Sequence, residues 1–208
     1  MEKLLVVLIL LALSGIRLYF KIRFHALFGV KAFRYEPLWI ILSRYFLGAA
    51  TIAGFLRYLY GGRRLAAGIV WDLSASDGVG VVLASAGLVL LLSAHRTLDG
   101  NFSVTIDAGQ DHRLVTEGPY ARIRHPMYVA YLVIFTGLFV LTRDLLFCGS
   151  AILVILSLMF LRVPYEERAL RNRFGGEYEE YRSRVGAFVP RAGISARTGR
   201  TGRGSVRN

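Results

Sequence analysis

Long apolar runs alternate with short polar segments along this chain. Five runs are long enough to be considered as membrane-spanning helices: Leu4–Phe20, Pro37–Tyr60, Gly78–Ala94, Met127–Thr142 and Leu145–Leu161. The last three contain no charged residue, and at about 1.5 Å per helical residue each reaches roughly 24–26 Å. Flanking residues such as Tyr128 and Arg143 can extend them across a hydrocarbon core of about 30 Å. The pattern predicts an all-α, polytopic membrane bundle of about five transmembrane helices.

Arginines interrupt the two N-terminal runs. Arg17 lies near the end of the first run, and Arg44 and Arg57 lie within the second. Arg44 and Arg57 either snorkel to the interface or face a polar cavity between helices, and the sequence leaves both possibilities open. Leu13–Tyr19 offers no clean small-x-small cleavage site, so we interpret the first run as a retained helix rather than a signal peptide.

Composition sharpens this picture by excluding several classes of protein. The chain has 208 residues, is 54% hydrophobic, and carries 26 Lys and Arg against 14 Asp and Glu, a net charge of +12. Its mean hydropathy is +0.47. Such values argue against a disordered chain and an ordinary basic soluble domain, and nucleic-acid binders rarely carry several apolar runs of near-membrane length. The single cysteine, Cys148, excludes an intramolecular disulfide framework and a cysteine metal cluster.

The basic residues predict the orientation of the bundle. Loops Lys21–Glu36 and His95–Pro126 each hold four Lys or Arg, and the segment after Leu161 holds eleven arginines. The positive-inside rule therefore predicts a cytoplasmic C-terminus and a cytoplasmic C-terminal catalytic region. We expect one membrane domain over residues 1–190, with a cofactor region at about 98–190, and a disordered basic tail over 191–208.

The first polar block, Asn101–Tyr128, collects cations beside a predicted helix start. Pro126 suits the first turn of a helix that begins near Met127. Its N-terminal N–H groups and dipole favour an anion near Arg124 and His125, and Tyr120 and Tyr128 offer aromatic faces to a cation. An interfacial anchor of Arg and Tyr is the alternative. A short hairpin of residues 102–106 with 113–116 is as consistent with the pattern as a coil is.

The second polar block, Arg162–Pro190, follows the last apolar run. We expect Pro164 to bend or restart the helix, Tyr165–Phe174 to be helical up to a cap at Gly175-Gly176, and Glu177–Val185 to form an amphipathic helix. Arg162 and Glu166 share a face if the helix survives Pro164. Either they pair with each other, or Glu166 holds a ligand ammonium while Arg162 holds a ligand carboxylate.

The two blocks together resemble one family. The strings HRLVTEGPYARIRHPMY and EERALRNRFGGEYEEYRSRV, with a proline following, are similar to those of the isoprenylcysteine carboxyl methyltransferase family. That family is part of a wider group of membrane methyltransferases that includes phospholipid N-methyltransferases. The resemblance covers roughly Leu98–Pro190. Ala130 departs from the pattern, because the family often has Gly there, and we expect it to tighten the helix packing.

The resemblance implies S-adenosylmethionine as the methyl donor and a lipophilic or prenylated acceptor. Carried over residue by residue, it implies a set of residues that line the cofactor pocket. These are His112, Arg113, Leu114, Val115, Tyr120, His125, Pro126, Met127, Tyr128, Glu166 and Glu167. Glu166 would hold the methionine ammonium and Arg162 would orient the acceptor carboxylate, which makes these two the candidate catalytic residues. No metal is implied, and the four histidines lack metal-ligand spacing.

Three hypotheses follow for function. The first is a membrane methyltransferase that esterifies the carboxylate of a prenylcysteine-like acceptor, which needs no general base because a carboxylate is already an anion. The second is a phospholipid amine N-methyltransferase, for which Glu166, Glu167 or His125 would have to act as base. The third is a non-catalytic membrane protein whose basic face binds lipid or a partner. The expected partners are the acceptor and membrane lipids, without nucleic acid, and the oligomeric state stays open.

Overall fold

The computed structural model describes residues 2–23, 38–61, 76–98 and 113–191. Within these ranges the chain is helical and contains no β-strand. The helices are α1 (Glu2–Arg23), α2 (Leu38–Leu59), α3 (Ser76–Leu98), α4 (Pro126–Thr142), α5 (Leu145–Phe174) and α6 (Gly176–Arg184), with a 3-10 turn at Gly118–Ala121. Residues 113–116 form no strand, and 102–106 lie outside the described residues. The all-α prediction is confirmed for this part of the chain.

Four of the five expected spans are helices long enough to cross a membrane, and the fifth is a shorter apolar helix. Helices α1, α2, α3 and α5 are each long and apolar enough to cross a membrane. Helix α4 is a shorter apolar helix of 17 residues, which corresponds to about 26 Å of helix. Arg143, in a left-handed conformation, ends α4, and α5 begins two residues later. This tight link makes α4 and α5 an antiparallel helical hairpin.

Cross-helix contacts fix the direction of each helix. Thr51 bonds to Ser150 at 2.9 Å, and Arg57 pairs with Asp144 on the same two helices, so α2 and α5 run antiparallel. Lys3 donates to the Leu59 carbonyl at 2.9 Å, which places the start of α1 beside the end of α2. The start of α2, like the end of α1, therefore lies at the opposite end of the bundle.

Small residues let α3 and α4 pack closely. A Cβ added at Gly137 would lie 2.6 Å from the Gly80 carbonyl oxygen, and one at Gly87 would lie 2.9 Å from the Ala130 carbonyl oxygen. The hydrophobic effect does not drive helices together within a membrane, because lipid tails are as apolar as the side chains. Small residues instead allow close backbone approach, and van der Waals packing then holds the helices together. Ala130 is fully buried in this seam. Its position agrees with the expectation that it contributes to tight packing.

Helix α5 changes its geometry at Pro164, in agreement with the prediction that the helix restarts there: regular α-helix resumes at Val163, with the proline in its first turn. A π-helical turn at Leu158–Arg162 precedes the proline. Proline lacks an N–H and its ring crowds the carbonyl four residues earlier, here that of Phe160. Widening the turn accommodates both effects, as π-turns inside helices commonly do. The helix continues to Phe174 and ends at Gly175, whose φ of 51° suits glycine.

The segment after α6 folds back onto the loop that precedes α4. Arg124 donates its backbone N–H to the Gly186 carbonyl at 2.8 Å, and His125 donates to the Ala187 carbonyl at 3.0 Å. Tyr178, Tyr181 and Val185 form a small buried cluster beneath this contact, which confirms the predicted apolar side of the last helix. Two stretches that are distant in sequence therefore meet at one end of the bundle.

Candidate active site

A cavity of about 560 Å³ lies where the loop before α4, helix α5 and helix α6 meet. Its polar part is lined by Arg113, Arg124, His125, Tyr128, Arg162, Glu166, Tyr178 and Tyr181. Its apolar part reaches between α2 and α5 and is lined by Gly48, Thr51, Phe135, Ala151, Val154, Ile155 and Leu158. The volume is that of a typical small-molecule site. One cavity thus joins a charged end to an apolar end.

Arg162 and Glu166 face this cavity as an ion pair. The Arg162 Nε lies 2.7 Å from Glu166 Oε1, four residues and about one helical turn away on the same face. Tyr128 donates its hydroxyl to the same oxygen at 2.7 Å. The two side chains retain 19% and 21% of their exposure, so they are accessible from the cavity. A carboxylate held this way offers its other oxygen to a ligand cation.

Glu167 is the neighbour of Glu166 but belongs to a different network. Arg124 donates to Glu167 Oε1 from Nε at 3.0 Å and from Nη2 at 2.7 Å, and His125 Nε2 lies 3.2 Å from the same oxygen. Arg124 also donates to the Val185 carbonyl. Adjacent residues on a helix point about 100° apart, so Glu167 turns into the protein and is buried. It fixes the loop before α4 against α5 and the C-terminal segment.

His125 lies between the two carboxylates. Its Nε2 faces Glu167 at 3.2 Å and its Nδ1 lies 3.9 Å from Glu166 Oε2. The ring also packs against Phe188 with centroids 5.7 Å apart. Because His125 precedes Pro126, the first residue of α4, the helix start itself positions this ring. The sequence prediction that the helix starts at this proline is confirmed.

Two tyrosine hydroxyls are buried at the cavity wall. Within the described ranges, Tyr120 Oη and Tyr178 Oη have no hydrogen-bond partner, and both residues line the cavity. Burial raises the pKa of Tyr178 to about 12 and also raises the pKa of Tyr120, so both stay neutral donors at physiological pH. A buried hydroxyl without a partner is costly. A polar ligand in the cavity would supply the missing bond.

Most residues that the resemblance implies meet at this cavity. Those that line it are Arg113, Leu114, Val115, Tyr120, His125, Pro126, Met127, Tyr128, Arg162 and Glu166. Glu167 is not among the described residues that line it, and His112 lies outside the described residues. The assignment of Glu167 as a direct cofactor contact therefore stays a prediction, whereas its contact with Arg124 and His125 is observed.

The sequence analysis missed the contribution of the N-terminal helices. Arg17 and Lys21 of α1 and His95 of α3 line the cavity. The Arg17 guanidinium lies 5.4 Å from the centre of the Tyr131 ring, and His95 stacks on Phe20 with centroids 4.8 Å apart. A charge late in an apolar run, such as Arg17, was the available signal. Nothing in the sequence shows which helix such a charge faces.

Comparison with known proteins connects this architecture to others. Residues 76–177 match the family model described as phospholipid methyltransferase. The chain is 35% identical over 114 residues to a probable protein-S-isoprenylcysteine O-methyltransferase from Oryza sativa subsp. indica, covering 54% of this chain and 60% of that relative. It is 33% identical over 113 residues to protein-S-isoprenylcysteine O-methyltransferase B from Arabidopsis thaliana, covering 53% and 57%. The chain thus spans about 57–60% of the length of these relatives.

A solved structure shares the fold. The chain superimposes on a eukaryotic intramembrane Ras methyltransferase, isoprenylcysteine carboxyl methyltransferase, with a TM-score of 0.55. The match covers 69% of this chain and 51% of that chain at 24% sequence identity. At this identity the match supports the fold alone. It agrees with an integral membrane helical protein.

Proposed function

We propose that this chain transfers a methyl group from S-adenosylmethionine to the carboxylate of a lipophilic, prenylcysteine-like acceptor. Its residues 76–177 match the phospholipid methyltransferase family model, and a relative that it matches is a probable protein-S-isoprenylcysteine O-methyltransferase. The resemblance seen in the sequence is confirmed by the relatives it matches. The activity, the cofactor and the acceptor are proposals for this chain.

A single observation carries the proposal. The Arg162–Glu166 pair lies at the charged end of a cavity whose other end is apolar and reaches between α2 and α5. A charged end suits the zwitterionic part of a cofactor, and an apolar end suits the hydrocarbon of an acceptor. A protein that only bound lipid headgroups through a basic surface would not need an accessible carboxylate inside such a cavity.

The residues present fit the proposed cofactor. Glu166 offers an anion to the methionine ammonium, and Tyr120 and Tyr178 offer hydroxyls that have no partner within the described ranges. Met127 and Leu114 provide apolar wall on the same side. S-adenosylmethionine supplies an electrophilic methyl group on a sulfonium when it is bound. We assign the same pocket to His112, Arg113, Val115, His125, Pro126 and Tyr128, with Glu167 supporting it through Arg124 and His125.

The chain's own residues act mainly by alignment and by exclusion of water. Methyl transfer is an in-line displacement, so holding the two reactants in line and away from water supplies much of the acceleration. Arg162 offers a planar fork that matches a carboxylate. When a ligand ammonium occupies Glu166, the pairing of Arg162 with Glu166 weakens and Arg162 becomes available to the acceptor carboxylate. Cofactor binding would thus precede acceptor alignment.

A phospholipid amine is the second candidate acceptor, since the matching family model is described as phospholipid methyltransferase. An ammonium acceptor must lose a proton, so this chemistry needs a general base. Glu166 already accepts bonds from Arg162 and Tyr128, and Glu167 accepts from Arg124. Burial alone would raise the pKa of Glu167, but the hydrogen bonds from His125 and Arg124 lower it to about 2, so this carboxylate accepts protons poorly. The carboxylate acceptor is therefore the first choice.

Product chemistry tests the proposal. Purified protein in detergent, given methyl-labelled S-adenosylmethionine and N-acetyl-S-farnesylcysteine, should form a labelled product that mild base hydrolyses, as a methyl ester does. With phosphatidylethanolamine as acceptor, a base-stable methylamine would instead support the second candidate. The matched control is Glu166→Gln, which keeps the shape of the side chain and removes its charge.

Binding distinguishes both enzymes from a non-catalytic protein. Calorimetry with S-adenosylhomocysteine should show binding to wild-type protein and weaker binding to Glu166→Gln. A well-folded wild-type protein that binds neither this product nor S-adenosylmethionine would contradict both enzymatic candidates.

We also propose that the charged end of the cavity faces the cytoplasm, with the C-terminus on the same side. The integral membrane character rests on the apolar helices. The orientation rests on the positive-inside rule applied to the basic loops. Cysteine labelling after Arg184→Cys in a Cys148→Ser background, in intact cells against permeabilised cells, tests it. Labelling that needs no permeabilisation would contradict the orientation.

A further inference from the structure

Helix α1 brings two cations to the cavity from outside the family-matched region. Arg17 and Lys21 are four residues apart, so they share one face of α1, and both line the cavity. The family model begins at residue 76. The match therefore assigns no role to these two residues.

The position of Arg17 relates it to the proposed site. Its guanidinium lies 5.4 Å from the centre of the Tyr131 ring. Tyr131 follows Tyr128 by about one turn of α4, and Tyr128 donates to Glu166 at 2.7 Å. Arg17 thus lies about one turn further into the bundle than Glu166, towards the apolar end. This is the level at which an acceptor's polar head would join its hydrocarbon tail.

The charges around the cavity are unbalanced. Arg17, Lys21, Arg113, Arg124 and Arg162 line it, and Glu166 is the one carboxylate among the described lining residues. Arg124 and Arg162 already pair with Glu167 and Glu166. In the described part of the chain, Arg17 contacts an aromatic face but forms no ion pair with a carboxylate. A cation within a span is costly unless a partner or water compensates it.

We infer that Arg17, assisted by Lys21, binds the anionic headgroup of the acceptor, and so selects a carboxylate-bearing amphiphile over one with a cationic or neutral head. This inference rests on the proposed function and adds to it two residues that select the substrate. The acceptor's tail then occupies the apolar part of the cavity between α2 and α5. Arg162 aligns the acceptor carboxylate beside the cofactor, and the cations of α1 attract the same carboxylate from the apolar side of the cavity.

Headgroup discrimination tests the inference more directly than activity does. The probes are N-acetyl-S-farnesylcysteine as acceptor and its uncharged carboxamide as competitive inhibitor. Arg17→Gln should raise KM for the acceptor about tenfold, as expected when one hydrogen bond to a charged group is lost. The preference of the wild type for the carboxylate over the carboxamide should fall by the same factor. Lys21→Gln should have a smaller effect in the same direction.

Two controls separate binding from structure. Arg23→Gln removes a cation from the same helix that does not line the cavity and instead donates to Tyr19 at 3.0 Å, so KM and discrimination should not change. Arg17→Lys keeps the charge and should recover most of the discrimination. The dissociation constant of S-adenosylhomocysteine should stay within about twofold for all of these variants, because the cofactor end of the cavity is untouched.

Specific outcomes would overturn the inference. Unchanged discrimination in Arg17→Gln would do so, as would a loss of discrimination in Arg23→Gln of equal size. A parallel loss of cofactor-product binding would assign Arg17 a structural role. If wild-type protein transfers no methyl group, the proposed function fails separately. Direct calorimetry of the carboxylate and carboxamide probes then still decides whether α1 recognises an anion.

Discussion

Two ion pairs lie at opposite ends of the bundle and differ in what surrounds them. Arg57 and Asp144 join α2 to the start of α5, and the Asp144 side chain is 0% exposed. Asp144 also accepts the Phe147 backbone N–H at 3.0 Å and so caps the helix. Arg162 and Glu166 lie at the other end of α5, and both keep about a fifth of their exposure to a cavity.

The difference separates a structural role from a chemical one. Asp144 is fully buried and its carboxylate accepts from Arg57 and from the Phe147 N–H, while Arg57 keeps 24% of its exposure. Glu166 shares its environment with unpartnered tyrosine hydroxyls and open volume. A charged pair in a membrane protein is therefore not by itself evidence of a site. A charged pair becomes a candidate ligand site when an accessible cavity lies beside it.

Breaking the Arg57–Asp144 pair should have the largest effect. Asp144→Ala leaves the Arg57 charge without its partner and removes the helix cap, and breaking a buried pair costs about 3–5 kcal/mol. We expect a large loss of thermal stability in detergent and a low yield of folded protein. Replacing both residues by leucine should recover much of the stability, because the unpaired charge is then gone. Equal stability of Asp144→Ala and wild type would refute the structural role.

Breaking the Arg162–Glu166 pair, which faces the cavity, should affect ligand binding more than stability. Glu166→Gln should weaken S-adenosylhomocysteine binding by roughly 10- to 100-fold, since one charge-assisted contact is lost. Arg162→Gln should leave that binding nearly intact and lower methyl transfer by a similar factor. Thermal melting should change little in either variant. A melting loss as large as that of Asp144→Ala would remove the contrast between the two ends.

Glu167 should behave between these extremes. Glu167→Gln keeps the side chain's shape but weakens the contacts with Arg124 and His125, at a cost of about 1–3 kcal/mol. We expect a moderate loss of stability together with weaker cofactor-product binding, because the loop before α4 is less firmly held. Wild-type stability with strongly reduced binding would instead indicate that Glu167 contacts the cofactor directly.

Breaking the exposed pair Glu180 and Arg184 should have the smallest effect on stability and activity among these substitutions. Their side chains are 69% and 56% exposed and lie 3.3 Å apart. Exposed pairs contribute about 0–1 kcal/mol, so Glu180→Ala should alter neither melting temperature nor methyl transfer measurably. A marked loss of activity would point to a contact on α6 that the described residues do not contain.

The spans could be predicted from the sequence because lipid imposes a length on apolar runs. The charge-free runs ending at Ala94, Thr142 and Leu161 correspond to helices α3, α4 and α5. The pairing of Arg162 with Glu166 was one of two open readings, and helical spacing alone supports it. The restart of the helix at Pro164 could be predicted from the proline, whereas the preceding π-turn at Leu158–Arg162 could not, because no composition signal that we recognise encodes a π-turn.

Partner choice within the bundle could not be predicted. Arg57 and Asp144 are 87 residues apart, and only the docking of α2 against α5 brings them together. Glu166 and Glu167 look equivalent in the sequence, yet one faces the cavity and the other faces Arg124. Hydropathy gives the length of each helix, whereas rotation about its axis depends on contacts that form only after all helices have packed.

The backbone contact between Arg124 and Gly186 has a consequence for biosynthesis. Helices that enter a membrane one after another can settle their apolar faces as they are made. The loop before α4 forms part of the cavity wall, and its backbone is bonded to Gly186 and Ala187, beyond α6. Translation must therefore pass these two residues before this loop can be held in place. Until then, the loop of a nascent chain lacks the backbone partners that fix it at the cavity.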